Sequence, residues 1–163
     1  MKTIKNQIIL TIFALFFCNA AFCAENLKDM DGHDVSFESL ISSKPTLVHL
    51  WASWCGSCMV ELPAYQAFVE AHESDAFNII AVSVDNKPVA EVNQMIQSKV
   101  PGLKTYYDPK FSLLNFFKVK GIPYTAILNL KKQDPIQFDF AGQIDWQNEE
   151  NQQELLSFLK EKK

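Results

Sequence analysis

Two cysteines separated by two residues are the part of this sequence best suited to chemistry. Cys55 and Cys58 directly follow the apolar run 46–51 and lie at the start of a stretch, 56–73, whose apolar residues recur at helical spacing. Cys55 is therefore predicted at a helix N-terminus, where free N–H groups and the helix dipole favour an anion. The pKa of a thiol in this position falls from about 8.5 to roughly 3.5–7.5. The pattern predicts a nucleophilic Cys55 thiolate, with Cys58 one turn below it to resolve a mixed disulfide.

Other uses of the cysteine pair are less well supported by the sequence. A disulfide across two residues closes almost no loop, so it removes little entropy from the unfolded chain. A zinc site needs a second pair of ligands, and the three histidines show no ligand spacing. We expect no metal and no cofactor. Two thiolates could hold Cu(I), which leaves a copper chaperone as the binding-module alternative. A peroxidase is a further alternative, although Val48 and Ala52 replace the Pro and Thr of its P-x-x-x-T-x-x-C pattern.

The composition predicts a packed, acidic domain. The 163 residues are 48% hydrophobic and include 13 Phe, which is enough apolar material for one core. The net charge is −4, and every positive side chain is a lysine. Arginine is the residue best suited to reading guanine and clamping phosphate, so its absence and the acidic balance argue against a nucleic-acid partner.

The first segment is typical of a targeting signal. Lys2 and Lys5 precede the apolar run 8–17, and small residues follow before the first acid. We interpret 1–24 as a signal peptide, because the apolar run is too short to favour a spanning helix. Retention of this segment as a membrane anchor is the alternative. Residues 25–163 are then one domain outside the cytoplasm, in the periplasm.

Strands and helices are predicted to alternate along that domain. Such alternation, ending in a hairpin and a helix, indicates an α/β fold with a central mixed sheet and helices on both faces. The predicted strands and helices are an N-terminal hairpin within 27–37, strands at 46–51, 77–84, 105–107, 125–130 and 136–140, and helices at 56–73, 89–98, 109–117 and 148–160.

Two blocks of the sequence resemble the TlpA/ResA-like branch of the thioredoxin superfamily, which includes DsbE-like proteins. The first is W-C-x-x-C followed by E-x-P, from Trp54 to Pro63, and the second is Gly-Ile-Pro-Tyr-Thr at 121–125. The resemblance implies a thioredoxin-like fold with a central strand–helix insertion, and an extracytoplasmic thiol–disulfide oxidoreductase. It covers nearly all of 25–163.

The resemblance also implies supporting roles near the cysteines. Pro123 matches a cis-proline that faces them, and this would leave the backbone of Ile122 free to pair with a substrate peptide. Glu61 matches an acid associated with thiol tuning, and it shares the predicted helix face of Cys58. A surface position at the start of the helix is an equal interpretation of Glu61. Trp54 is expected at the rim of the site, shielding the thiol.

His49, six residues before Cys55, departs from the family pattern. Thioredoxin has a buried aspartate there, and this branch often has an amide. A neutral core imidazole satisfied by the backbone is favoured over a proton relay. Trp146 is interpreted as packing for the last helix.

The predicted function is the reduction of protein disulfides, with protein disulfides and dithiols as partners. The resemblance favours recharging by a membrane thiol carrier of the DsbD/CcdA type and is compatible with cytochrome c biogenesis. A dithiol oxidase or isomerase remains the alternative in direction, although Gly56-Ser57 lacks the histidine of strongly oxidising members.

Overall fold

The computed structural model describes residues 26–72 and 74–160. The predicted signal peptide, 1–24, lies outside the described residues. Seven strands and five helices follow one another along this part of the chain: β1 (Asn26–Lys28), β2 (Asp34–Ser36), α1 (Phe37–Ile41), β3 (Thr46–Trp51), α2 (Gly56–Ala71), β4 (Asn78–Ser83), α3 (Val89–Lys99), β5 (Thr105–Tyr107), α4 (Ser112–Phe116), β6 (Tyr124–Leu128), β7 (Ile136–Ala141) and α5 (Glu149–Leu159).

The strands form one mixed sheet in the order β2-β1-β5-β4-β3-β6-β7. β3, β4 and β5 run parallel in the middle, joined by helical crossovers. Antiparallel hairpins extend both sides, β1–β2 against β5 and β6–β7 against β3. The predicted mixed sheet, the N-terminal hairpin and the additional strand and helix before Pro123 are confirmed.

Two apolar cores cover the two faces of the sheet. Leu47 and Trp51 of β3 face α2, α3 and α5, whereas Val48 and Leu50 face α1 and α4. Successive side chains of a strand point to opposite faces, so a strand buried on both sides reads as a continuous apolar run. This placement packs α2 against one face of the sheet and starts the helix beyond the C-terminal end of the central strand β3.

Two short helices differ from the expectation. α1 was not predicted, because its five residues follow a hairpin and are held by packing of Phe37 against Phe116 and Phe117. The helix expected at 109–117 begins only at Ser112, because Phe111 has a left-handed backbone (φ 57°) that a helix cannot include. The Asp108 carboxylate, before the helix, accepts a hydrogen bond from the Leu113 N–H.

No helix within 26–72 and 74–160 combines the length and the apolar character that crossing a bilayer requires.

Candidate active site

The cysteine pair lies where β3 ends and α2 begins, as predicted. Cys55 is the N-cap of α2 with an extended backbone, and Cys58 lies in the first turn. The two form a disulfide with their Cα atoms 5.3 Å apart. Cys55 is 6% exposed and Cys58 is fully buried. An approaching thiol or disulfide therefore meets Cys55 first.

The Cys55 sulfur is surrounded by hydrogen-bond donors. The Cys58 backbone N–H donates to it across 3.2 Å, and the Ser57 hydroxyl lies 3.4 Å away. These donors belong to the first turn of α2, where N–H groups have no partner within the helix. They would stabilise negative charge on this sulfur once the disulfide is reduced.

The second predicted block lies beside the first. The Ile122–Pro123 peptide bond is cis, and the Ile122 carbonyl oxygen lies 3.7 Å from Cys55 Sγ. Trp54, which precedes Cys55 in the sequence, is 64% exposed. The structure thus brings the Ile122–Pro123 peptide beside Cys55, next to the exposed Trp54.

Asp85 fixes the segment that leads into Cys55. Its buried carboxylate accepts hydrogen bonds from the backbone N–H and the hydroxyl of Ser53, at 2.8 and 2.7 Å. The Ser83 hydroxyl donates a third bond at 2.8 Å. One carboxylate at the end of β4 therefore ties the end of β3 in place. Sequence analysis missed Asp85, because only the parallel pairing of β3 with β4 brings it near Ser53.

Glu61 lies in the interior, so the surface interpretation is wrong. The side chain is 5% exposed on the face of α2 that Cys58 also occupies. Its Oε2 accepts hydrogen bonds from the Ile144 N–H (2.9 Å) and the Trp146 indole N–H (3.2 Å). Burial nevertheless raises the pKa of Glu61 to about 7, because desolvation penalises the carboxylate more than the two donors stabilise it.

His49 lies beneath Glu61, and its partners are side chains rather than the backbone. Its Nδ1 is 3.0 Å from the Thr125 hydroxyl, directly opposite on β6, and its Nε2 is 3.5 Å from Glu61 Oε1. The ring stacks on Tyr65 and meets the edge of Trp146. Complete burial lowers the pKa of His49 to about 3, so the ring is neutral.

The loop 142–147, between β7 and α5, contacts each part of the site. Gly142 N–H donates to the Pro123 carbonyl, and the Gln143 amide donates to the Ser57 carbonyl. Ile144 and Trp146 bind Glu61 as described. Trp146 packs as predicted, but its contact with Glu61 was not expected, because it joins residues 85 positions apart.

Comparison with known proteins decides the family. A protein-family sequence model described as "AhpC/TSA family" matches residues 19–137 of this chain. The chain belongs to the AhpC/TSA family.

Two matches from Bacillus subtilis are similar to this AhpC/TSA family member in sequence and in fold. The sporulation thiol-disulfide oxidoreductase A of Bacillus subtilis is 30% identical over 107 residues, which cover 64% of each chain. This chain thus spans slightly under two thirds of that relative. The structure of StoA from Bacillus subtilis is similar at a TM-score of 0.65 and 25% identity, over 83% of this chain and 96% of that one.

A third similarity shows the fold alone. The exposed lipoprotein thioredoxin of Streptococcus pneumoniae gives a TM-score of 0.64 at 19% identity, over 82% of this chain and 96% of that chain. Together the matches confirm the expected resemblance to TlpA/ResA/DsbE-like proteins and the thioredoxin-like fold. The Bacillus subtilis relative is itself named a thiol-disulfide oxidoreductase.

In the part of the chain that the structure describes, no cluster of metal-ligating groups includes Cys55 or Cys58. Among residues 26–72 and 74–160, the one cluster with ligand spacing is Asp29, Asp31 and His33, which includes neither cysteine. The Asp29 carboxylate there is already bonded to the Asp31 and His33 N–H groups of the β1–β2 turn. The described residues thus give the copper-chaperone alternative no third ligand beside the thiols.

Proposed function

We propose that this protein reduces disulfides of other proteins outside the cytoplasm, with Cys55 as nucleophile and Cys58 as resolving thiol. The unequal accessibility of the two sulfurs carries this assignment. Cys55 reaches the surface and is bordered by the N–H groups of α2, whereas Cys58 is enclosed. A substrate disulfide can approach Cys55 alone, so attack and resolution are divided between the two residues.

The reaction begins with the reduced protein. The Cys55 thiolate attacks one sulfur of the substrate disulfide, whose S–S bond breaks and whose other sulfur leaves as a thiolate. Cys58 then loses its proton and attacks Cys55, and the second substrate sulfur leaves with the electron pair of the mixed disulfide. The substrate gains two electrons, its two thiolates each take up one proton from the solvent, and the protein is left with the Cys55–Cys58 disulfide present in the structure.

Glu61 is proposed to take the proton that Cys58 loses. Glu61 follows Cys58 by three residues, so both side chains lie on the same face of α2. Its pKa of about 7 lets the carboxyl group gain and lose a proton near neutrality.

Trp54, Ile122 and Pro123 are proposed to hold the substrate. The Ile122 carbonyl beside Cys55 is available to accept a hydrogen bond from an extended peptide, and Pro123 contributes no N–H of its own. The exposed ring of Trp54, the residue before Cys55, offers apolar contact to a substrate.

The extracytoplasmic location follows from the sequence of 1–24, proposed as a signal peptide or a retained anchor that precedes the domain at 25–163. A similar fold in an exposed lipoprotein thioredoxin supports this location. A protein outside the cytoplasm needs a source of electrons across the membrane, so we propose a membrane thiol carrier of the DsbD/CcdA type as the donor. A DsbE-like role in cytochrome c biogenesis is included in the proposal.

Equilibration with glutathione buffers tests the direction. Reduction potentials across the thioredoxin superfamily span about −270 mV to about −120 mV, and a reductase lies toward the negative end. A measured potential near the oxidising end would overturn the reductase assignment and favour a dithiol oxidase.

Trapping tests the assignment of the two cysteines. Cys58→Ala should accumulate mixed disulfides on Cys55 when expressed with its signal segment, because resolution is blocked. The matched variant Cys55→Ala should accumulate none. Equal trapping by both variants would contradict the proposal.

A further inference from the structure

Two buried polar atoms of the site face each other without any other partner. His49 Nε2 and Glu61 Oε1 are fully enclosed, and among the described residues neither has another hydrogen-bond partner. They lie 3.5 Å apart, so a shift of about half an ångström gives an ordinary hydrogen bond. Leaving both unpaired would be costly, because burial without a partner forfeits the hydration of each group. A single proton on either atom allows one hydrogen bond between them, which gives both atoms a partner.

The other hydrogen bonds of His49 and Glu61 are compatible with either protonation state of Glu61. If Glu61 is ionised, Nε2–H donates to Oε1 and Nδ1 accepts from the Thr125 hydroxyl. If Glu61 is protonated, its O–H donates to Nε2 and Nδ1–H donates to Thr125 Oγ1. A hydroxyl serves as donor or acceptor by rotating, so the contact at 3.0 Å fits both states. The imidazole stays neutral throughout and only exchanges its tautomer.

The surroundings isolate the pair from other charges. From α2, the titratable neighbours are Cys58, on the same helix face, and Tyr65, whose ring stacks on His49. From β6 the neighbour is Thr125, and from the loop 142–147 the neighbours are the Ile144 N–H and the Trp146 indole, none of which titrates. Of these titratable neighbours, Cys58 is the one whose proton must move during the proposed reaction.

We propose that His49 and Glu61 act as one proton-holding unit, in which His49 is a positioning residue that changes tautomer each time Glu61 takes up or gives back the proton of Cys58. The transfer breaks the S–H bond of Cys58 and forms an O–H bond on Glu61. The His49 ring then loses its Nε2 proton and gains one at Nδ1 by exchange with solvent, and the new Nδ1–H donates a hydrogen bond to Thr125 Oγ1. The link to Cys58 rests on the proposed function, whereas the tautomer exchange rests on the geometry alone.

Nitrogen NMR of the histidine rings tests the tautomer exchange in the full oxidised chain, which needs no catalysis. Between pH 5 and 9 we expect His49 to pass from Nδ1–H to Nε2–H without forming an imidazolium. The midpoint should coincide with that of the Glu61 carboxyl carbon. In Glu61→Gln the exchange should disappear, and in His33→Gln, which alters an exposed ring on the β1–β2 turn, it should persist. A His49 tautomer that stays fixed while Glu61 titrates would overturn the proposal.

Single-turnover reduction of a disulfide peptide tests the link to Cys58. His49→Phe keeps a ring against Tyr65 and removes both nitrogens, so the Glu61 carboxylate loses a donor. We expect the acid limb of the pH–rate profile to move up by about one pH unit, which makes the reaction roughly fivefold slower at pH 7. His49→Gln, whose amide donates to Oε1, should recover part of the rate. An unchanged profile in His49→Phe would refute the link.

The two tests separate this proposal from the proposed function. A protein with an oxidising potential, or without reductase activity, would disprove the reductase assignment. The tautomer exchange in the oxidised protein would still decide whether His49 and Glu61 share a proton.

Discussion

The indole N–H of Trp146 donates a hydrogen bond to the Glu61 carboxylate, with 3.2 Å between Nε1 and Oε2. The donor comes from the segment before α5, and the acceptor is in the second turn of α2. A hydrogen bond to a buried carboxylate favours the ionised form. Trp146 therefore helps to set the pKa of Glu61, although the two residues are 85 positions apart in the sequence.

Trp146→Phe should therefore raise the pKa of Glu61 further above its ordinary value, by about one pH unit. Carbon NMR of the Glu61 carboxyl group across pH 5 to 9 measures the change. Trp51→Phe is the matched control, because Trp51 is equally buried but its N–H donates to Thr105 instead. Both variants should lose stability through lost packing. A Glu61 midpoint that moves equally in both would show that the Trp146 N–H has no specific effect.

The pH dependence of stability should show two opposing contributions from Glu61 and His49. The pKa of Glu61 is raised from 4.5 to about 7, so its contribution to the free energy of unfolding is full below pH 4.5 and is lost as the pH rises to about 7. The pKa of His49 is lowered from 6.5 to about 3, so stability is lost as the pH falls below 6.5. Between pH 4.5 and 6.5 the two slopes cancel in the wild type.

Substituting either residue should reveal how the other makes the free energy of unfolding depend on pH. Relative to the wild type, we expect Glu61→Gln to gain stability as the pH rises from 4.5 to 6.5, and His49→Phe to lose it. Each slope is at most about 1.4 kcal/mol per pH unit. Urea unfolding of the oxidised proteins at several pH values provides the measurement. Slopes of the same sign in both variants would contradict the opposing shifts.

Asp85→Asn should loosen the segment before Cys55. The substitution removes the charge that accepts three hydrogen bonds from Ser53 and Ser83, so we expect a loss of about 1–3 kcal/mol in the free energy of unfolding. The Ser53 amide should also exchange its hydrogen faster. Ser53→Ala removes only the hydroxyl bond and should cost less. Unchanged exchange at the Ser53 amide in Asp85→Asn would argue against this role.

Alkylation of the reduced protein should distinguish the two sulfurs. Iodoacetamide at neutral pH should modify Cys55 and leave Cys58 intact, because Cys58 is fully buried and Cys55 reaches the surface. Peptide mass spectrometry after a short pulse measures the modified fraction of each. Urea-unfolded protein is the control, in which both should react. Comparable labelling of Cys58 in the folded protein would show that the site opens on reduction.

Local patterns predicted much of the fold. The bounds of β3 were predicted at 46–51 as observed, because a strand buried on both faces is apolar at nearly every position and Pro45 marks its start. Helix α1 escaped prediction because its stability comes from aromatic contacts made some eighty residues later in the chain. The left-handed Phe111 that delays α4 leaves no signal either, because such a backbone is rare for an aromatic residue.

The site divides in the same way. Cys55 and Cys58 were placed from spacing alone, because a helix N-terminus after a buried strand is a local feature. The environments of Glu61 and His49 were not predictable, because Ile144, Trp146 and Thr125 reach them across at least 76 residues of sequence. Burial imposed by distant segments decided which interpretation of Glu61 was correct.

The loop 142–147, which connects β7 to α5, tolerates little change in its length. Its successive residues contact the Pro123 carbonyl, the Ser57 carbonyl and the Glu61 carboxylate in turn. Adding or deleting a single residue there would displace every later residue of the loop. The hydrogen bonds to Pro123, Ser57 and Glu61 could then no longer form together. Variation among homologous chains should therefore accumulate as substitutions at Gln147, whose exposed side chain makes none of these three contacts, rather than as insertions in this connection.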